Sequence, residues 1–337
     1  MLQFANQTGF AGTVFASPDP DGVDTLFTVV KATFDLADGV RPSEQQVPVV
    51  MADEFHGDPA ASSIRVPADI ALVKPATDVV LLGHAYAPGG RPTWYMDVSL
   101  MAGPLFRAIR VFGDRVWESS GTGYAPSSPQ PFQSMPLVWE LAFGGTDAGR
   151  HGPAGLAANP VGRGFHAADG ATPVPGRPLP NLEDPADPIT SWKQTPAPAG
   201  FGPVAAHWEP RRAFAGTYDE AWQQKRAPFL PADFDPRFFQ IAPPGSCLPA
   251  GYFLGGEVID VRGATPDGVL RFALPAVGVQ ITYSVAGSAE VRPAHLDTVI
   301  IEPDAGRIVL VWRAALQCDK KLLKVDTVLA ELQAVHG

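Results

Sequence analysis

Cysteine is nearly missing from this chain of 337 residues: Cys247 and Cys318 are the two present. Two thiols exclude a disulfide framework and a cysteine-rich zinc site, and they suit a reducing compartment. Cys247, in PPGSC, has no local partner and reads as a structural thiol. Positive charge is short as well. The formal net charge is -10, which argues against nucleic acid as a partner, since a phosphate-backbone binder carries a basic footprint. Long apolar runs are absent. Stretches such as residues 308–312 fall far below the ~18 residues of a membrane span. No basic residue precedes Lys31 and no unbroken apolar core follows the N-terminus, so the expectation is a cytoplasmic protein without a secretory signal.

Several motifs are also missing. There is no G-x-S-x-G, no P-loop, and no G-x-G-x-x-G after a strand. The seven histidines (His56, His84, His151, His166, His207, His295 and His336) include no i,i+4 pair and no recognised ligand pattern, so neither a metal nor another cofactor is expected.

Glycine and proline are abundant. Gly 34 and Pro 36 make up about a fifth of the chain, which excludes an all-helical protein and implies many turns and ordered loops. The apolar segments are short, rich in Val and aromatics, and bounded by these breakers, as strands are. Residues 10–36 read as a hairpin around Asp21-Gly22, with a second arm that is apolar on both faces and therefore buried. Further strands are expected at 47–51, 78–87, 92–102, 106–119 (with a Gly113-Asp114 turn) and 136–143. More follow at 252–261, 268–275, 278–285, 296–303 and 307–316. Residues 320–335 fit helix and strand about equally. The fold class is mainly β: antiparallel sheets, sandwich-like or a distorted barrel, in a single domain over 1–337. Two strand-rich portions, 1–143 and 251–337, flank a loop-rich insert at 144–250 with a few short helices. Within the insert, Asn159, Gly162, Arg163 and Gly164 form either an anion nest or, more simply, a turn that sends Arg163 back to the body.

Residues 207–239 stand out. They hold eight of the chain's aromatics and five basic against five acidic residues, neutral within an acidic chain. Such a block reads as a packed, internally ion-paired plug. Thr217 with Glu220 has the spacing of a capping box and predicts a short helix to about Arg226. Asp235-Pro236 marks a second start. The carboxylates Asp219, Glu220, Asp233 and Asp235, near Tyr218 and Arg211, are what a carbohydrate-active hydrolase would use. Capping work and pairing with bases such as Arg237 are the simpler account, so no catalytic residue is assigned. Aromatics and arginines suited to anchoring a partner are Trp192, Phe201, Trp208, Arg211, Arg212 and Trp222.

KATFDL (31–36), GDRVW (113–117), PF (131–132) with MPLVWELAFGG (135–145), NPVGRGF (159–165) and LPNLEDP (179–185) occur in this order. PAPAGFGP (196–203), HWEPRRAFAGTYDEAW (207–222), LPADFDPRFF (230–239) and VLVWRA (309–314) follow. Over nearly the whole length the chain resembles a bacterial family long labelled only as a domain of unknown function, encoded in type VI secretion clusters beside VgrG, PAAR-type tip proteins and toxins. The resemblance implies a cytosolic adaptor or chaperone that loads an effector toxin onto the VgrG/PAAR spike. A structural part of the secretion particle is the other role it allows. It brings no catalytic residues with it.

Overall fold

The computed structural model describes residues 2–334 apart from 38, 122, 150–151 and 168–173, so His151 and His336 lie outside the described residues. The chain is mainly β. The larger sheet is built from β1 (Gln3–Asn6), β2 (Ala11–Pro18), β3 (Asp24–Asp35), β4 (Asp78–Leu81), and four further strands in the C-terminal part. The smaller sheet takes β5 (Tyr95–Ala102), β6 (Leu105–Phe112), β7 (Leu182–Glu183), β8 (Val258–Arg262) and β9 (Val269–Ala273). The C-terminal strands of the larger sheet are β10 (Val277–Val285), β11 (Ser288–Glu302), β12 (Arg307–Gln317) and β13 (Val325–Ala334), with Arg41–Pro42 added beside β3.

The larger sheet runs β1-β13-β10-β11-β12-β3-β2 and comes back to itself, because β1 at one edge touches β2 at the other. The result is a nearly closed, barrel-like sheet. Gly12 permits the closure: a Cβ there would lie 3.0 Å from Asn6 Nδ2 and 3.1 Å from the Phe4 ring. Inside it, Tyr283 of β10 reaches Thr28 of β3 at 3.0 Å, and burial pushes its phenol up to about 12. The smaller sheet, in order β7-β6-β5-β8-β9, lays one face on the same core. Met96, Val98 and Leu100 of β5, Ile109 and Val111 of β6, and Ile259 and Val261 of β8 join Leu26, Val30, Val299 and Leu310 there. A single apolar cluster thus draws on both strand-rich portions.

β3 is buried on both faces, as its apolar run requires. Its second face carries Lys31, which is 1% exposed and must be compensated. Asp69 meets it at 2.7 Å. The irregular segment 67–78 is fastened across this face by two more buried pairs, Lys74–Asp78 at 2.9 Å and Arg313–Asp297 at 2.7 Å. Arg313 also donates to the carbonyls of Asp69 and Ala71.

Three strand expectations need correction. Residues 47–51 form no strand, because Val47 N–H goes to Thr33 Oγ1 and Val50 N–H to Asp69 Oδ2 instead of a ladder. Residues 136–143 are not one strand: short strand ends at Pro136 and Phe143 are separated by a 3₁₀ turn at Trp139–Leu141, where the Trp139 indole donates to the carbonyls of Gly202 and Pro203. After Gly113-Asp114, the strand Trp117–Ser120 pairs with Gly123–Pro126 and not with β6. The open question at 320–335 resolves in two parts: Asp319–Lys324 is a 3₁₀ turn, and from Val325 the chain is a strand, β13, that pairs with both β10 and β1.

The Asp21-Gly22 turn does join β2 and β3, and it is braced by Asp19. Asp19 accepts from Asp21 N–H and Val23 N–H at 2.9 Å each and from Gln317 Nε2 at 2.6 Å. Burial alone would raise its carboxyl. Bonds from Gln317, Val23, Asp21 and Thr25 outweigh that and hold it below the ordinary carboxylate value. Its contribution to stability is therefore complete above the unfolded value of about 3.9 and is lost as pH falls through the lower folded value. Asp19→Asn should lower the urea midpoint at pH 7 and flatten the loss of stability between about pH 4 and pH 2. Parallel midpoint curves for the two proteins over that range would rule this out.

Candidate partner-binding surface

The segment 207–239 contains α1 (Glu220–Lys225), and its N-cap is Asp219, not Thr217: Asp219 Oδ1 accepts from Trp222 N–H at 2.8 Å. Thr217 instead gives its N–H and hydroxyl to Asp233, at 2.9 and 2.7 Å. Those bonds hold the Asp233 carboxyl below its usual value. Asp235 caps the 3₁₀ turn Pro236–Phe239 as expected and pairs with Arg237, whose guanidinium keeps its carboxyl low. Glu220 accepts from Gln224 one turn on. The four acids of the hydrolase reading are thus engaged in caps and short-range bonds. Mutual neutralisation of five acids and five bases is not what occurs. Arg212–Glu209 and Arg237–Asp235 are the ion pairs within the segment among the described residues. Arg226 donates to the carbonyls of Leu230 and Pro20, and Arg211 to those of Phe238 and Val204.

The segment is anchored at one end and lies on the surface at the other. Trp208 is 1% exposed, set edge-on to Trp139 with centroids 6.4 Å apart. Phe201 and Arg211 are buried beside it, so these three have no face to offer a partner. α1 buries no residue. Trp222 is half-buried, edge-on to Tyr218 at 4.7 Å and bonded to the Phe229 carbonyl, while Phe229 packs on Gly22 of the hairpin turn. Trp192 is half-buried against Tyr124 and His166, and Arg212 is exposed but held by Glu209. Asn159 is fully buried and donates to the carbonyls of Trp139 and Phe143, and Arg163 reaches the Glu140 carbonyl, which is the turn reading and not an anion nest.

The outward face of the smaller sheet was missed. Alternation along β5 and β6 sends Met96, Val98, Leu100, Ile109 and Val111 inward, and leaves Tyr95, Asp97, Met101, Phe106, Arg110 and Phe112 on the other side. Tyr95 is 56% exposed, Phe106 68%, and Trp94 just ahead of β5 61%. The charges are organised across the strands. Arg110 lies opposite Asp97 and grips both its oxygens, at 2.8 and 3.0 Å, with its guanidinium 5.6 Å from the Tyr95 ring centroid. On β8, Asp260 bonds Arg262 at 2.8 Å with Arg271 of β9 opposite, and the Arg262 guanidinium holds the Asp260 carboxyl low. Exposed rings among pre-oriented arginines, on a rigid sheet, are the residue types that dominate protein interfaces. The signal was present in the sequence: the polar half of an alternating strand pair carried aromatics.

A concavity of about 730 Å³ opens between Leu137, Ile64 and the turn after β11. There Asp304 accepts from Tyr86 Oη at 2.8 Å and lies 2.7 Å from His84 Nδ1. Burial and the neighbouring Asp304 push the Tyr86 phenol up. Among the described residues no group of three or more His, Cys, Asp or Glu is placed to hold a metal, and no helix is long and apolar enough to cross a membrane. Burial also raises the Cys247 and Cys318 thiols.

A family model described as an uncharacterized protein conserved in bacteria (DUF2169) matches residues 21–313. The chain belongs to that family. Its matched span opens at the β2–β3 turn and closes within β12, so the family's common part includes all of the smaller sheet and the aromatic segment. Neither the curated proteins nor the solved structures give a match.

Proposed function

We propose that this protein is a non-enzymatic adaptor, or chaperone, that binds a type VI secretion effector in the cytosol and helps load it onto the VgrG/PAAR spike. The outward face of the smaller sheet is the contact surface. The observation that carries the reading is the exposure of Trp94, Tyr95 and Phe106 beside Arg110, Arg262 and Arg271 on a sheet whose other face is core. A loading protein needs a surface that stays in shape without its client, and a five-stranded sheet backed by the main core supplies one. The nine ordered segments of sequence resemblance supply the system.

The test is co-purification with the toxin, VgrG and PAAR proteins encoded next to the gene. Phe106→Ala and Tyr95→Ala should melt within a few degrees of the parent, as surface changes do, yet retain the client at least about tenfold less well, as loss of an interface hot spot implies. Clients retained equally by both variants would remove this face from the proposal. Recovery of the protein in the secreted fraction with the spike would make it a part of the particle instead.

A further inference from the structure

Arg107 is a charged residue on the core side of the smaller sheet, opposite Leu100 in the register. The fully buried cations are matched. Lys31, Lys74, Arg115 and Arg313 each sit within 3 Å of a carboxylate. Arg211, which lacks one, directs Nε and Nη1 to two carbonyls. Arg107 makes one hydrogen bond among the described residues, from Nη1 to the Pro244 carbonyl at 2.7 Å, and its buried Nε–H has no partner. The side chain is partly buried with its Nε enclosed, an enclosed donor without a partner is costly, and burial lowers the pKa, with Asp184 acting the other way.

The guanidinium lines a cavity of about 200 Å³ whose walls include Trp139, Pro198, Val204 and Pro244. Two carboxylates stand at the same cavity. Asp184 accepts from Ala186 N–H and makes no ion pair with Arg107, and Glu209 is taken by Arg212 and Ala213 N–H. A second void that Arg107 lines, of about 10 Å³ and shared with Ser246, has room for one water at most. An anion must therefore enter from the larger cavity.

We propose that this cavity is a binding site for a carboxylate carried on a small apolar or aromatic stem, with Arg107 as the anion-binding residue and the Trp139 and proline walls holding the stem. The carboxylate comes either from a free small acid or from the C-terminus of a peptide chain. The site is separate from the outward sheet face and does not depend on the adaptor reading.

Calorimetric titration of the full chain with benzoate, benzamide, and N-acetyl-Pro-Phe with a free or an amidated C-terminus tests it. Benzoate or the free peptide acid should bind and raise the melting temperature, and both neutral amides should bind at least about tenfold more weakly, the usual consequence of losing a charged hydrogen bond. Tighter binding of the peptide acid would assign the site to a chain terminus, and tighter binding of benzoate to a small acid. Arg107→Met, which replaces a partly buried charge by an apolar side chain, should fold with a melting temperature close to the parent's and lose the response. Arg107→Lys keeps the charge but not Nε and should also bind weakly, which covers the case of a poorly folding Met variant. Acid and amide binding equally, binding unchanged in either variant, or no binding at millimolar concentrations would overturn the proposal.

Discussion

Asp78→Ala is expected to lower stability by about 3–5 kcal/mol, the cost of stranding one member of a buried ion pair. Asp78 has no exposed surface. One oxygen receives Lys74 Nζ and Ile241 N–H, both at 2.9 Å, and the other Ala242 N–H at 3.3 Å. A single carboxylate thus joins β4, the segment over the second face of the larger sheet, and the chain leaving the aromatic segment. Alanine leaves two amides without acceptors, and leaves the Lys74 ammonium in a dry site with the Thr298 hydroxyl but no counter-ion. Asp78→Asn should fall between, since its oxygen can still accept from Ile241 while the Lys74 charge loses its counter-ion. Guanidinium midpoints at constant slope measure the series. A loss under about 1 kcal/mol for Asp78→Ala would mean that water reaches the site and that the junction is not a fixed part of the fold.

This junction was not legible in the sequence, and the reason applies to the rest of the chain. Local patterns report on their own neighbourhood. The two-faced apolarity of β3, the Asp21-Gly22 turn and the Pro266-Asp267-Gly268 turn between β8 and β9 each follow from a few adjacent residues, and each is present. Residues 320–335 were ambiguous because β13 changes register opposite Ser284 and Val285. It therefore buries Val325, Val328 and Ala330, a spacing that masks strict alternation. In the aromatic segment the residue counts were right and the inference from them was not. Equal numbers of acids and bases suggest pairing, but Arg211 and Arg226 are held by carbonyls as far away as Pro20. Only the chain's path determines that. The outward sheet face was legible in principle, as rings at the polar positions of an alternating pair, but exposed and buried rings look alike in a sequence until the strand pairing fixes which face is core.

The two tryptophans of that cluster separate anchor from surface. Trp208→Ala should cost about 3–5 kcal/mol, the usual loss on deleting a large buried aromatic. Its ring is enclosed, abuts Trp139, and its indole N–H lies 3.0 Å from His207 Nε2. Trp139 cannot close over the gap freely. Its indole is fixed by the carbonyls of Gly202 and Pro203, and its other side meets Gly200, where a Cβ would stand 2.7 Å from the ring. The cavity should therefore persist, placing the cost toward the upper end of the range. Trp222→Ala removes a ring that packs on Tyr218 and bonds the Phe229 carbonyl, in a helix that buries nothing, so a loss of roughly 1 kcal/mol is expected, with α1 loosened and the core intact. Hydrogen exchange distinguishes the two: Trp208→Ala should raise exchange around residues 200–205, whereas Trp222→Ala should raise it within 217–230 alone. Equal destabilisation by the two variants would mean that α1 is a cooperative part of the core and not a surface element resting on the β2–β3 turn.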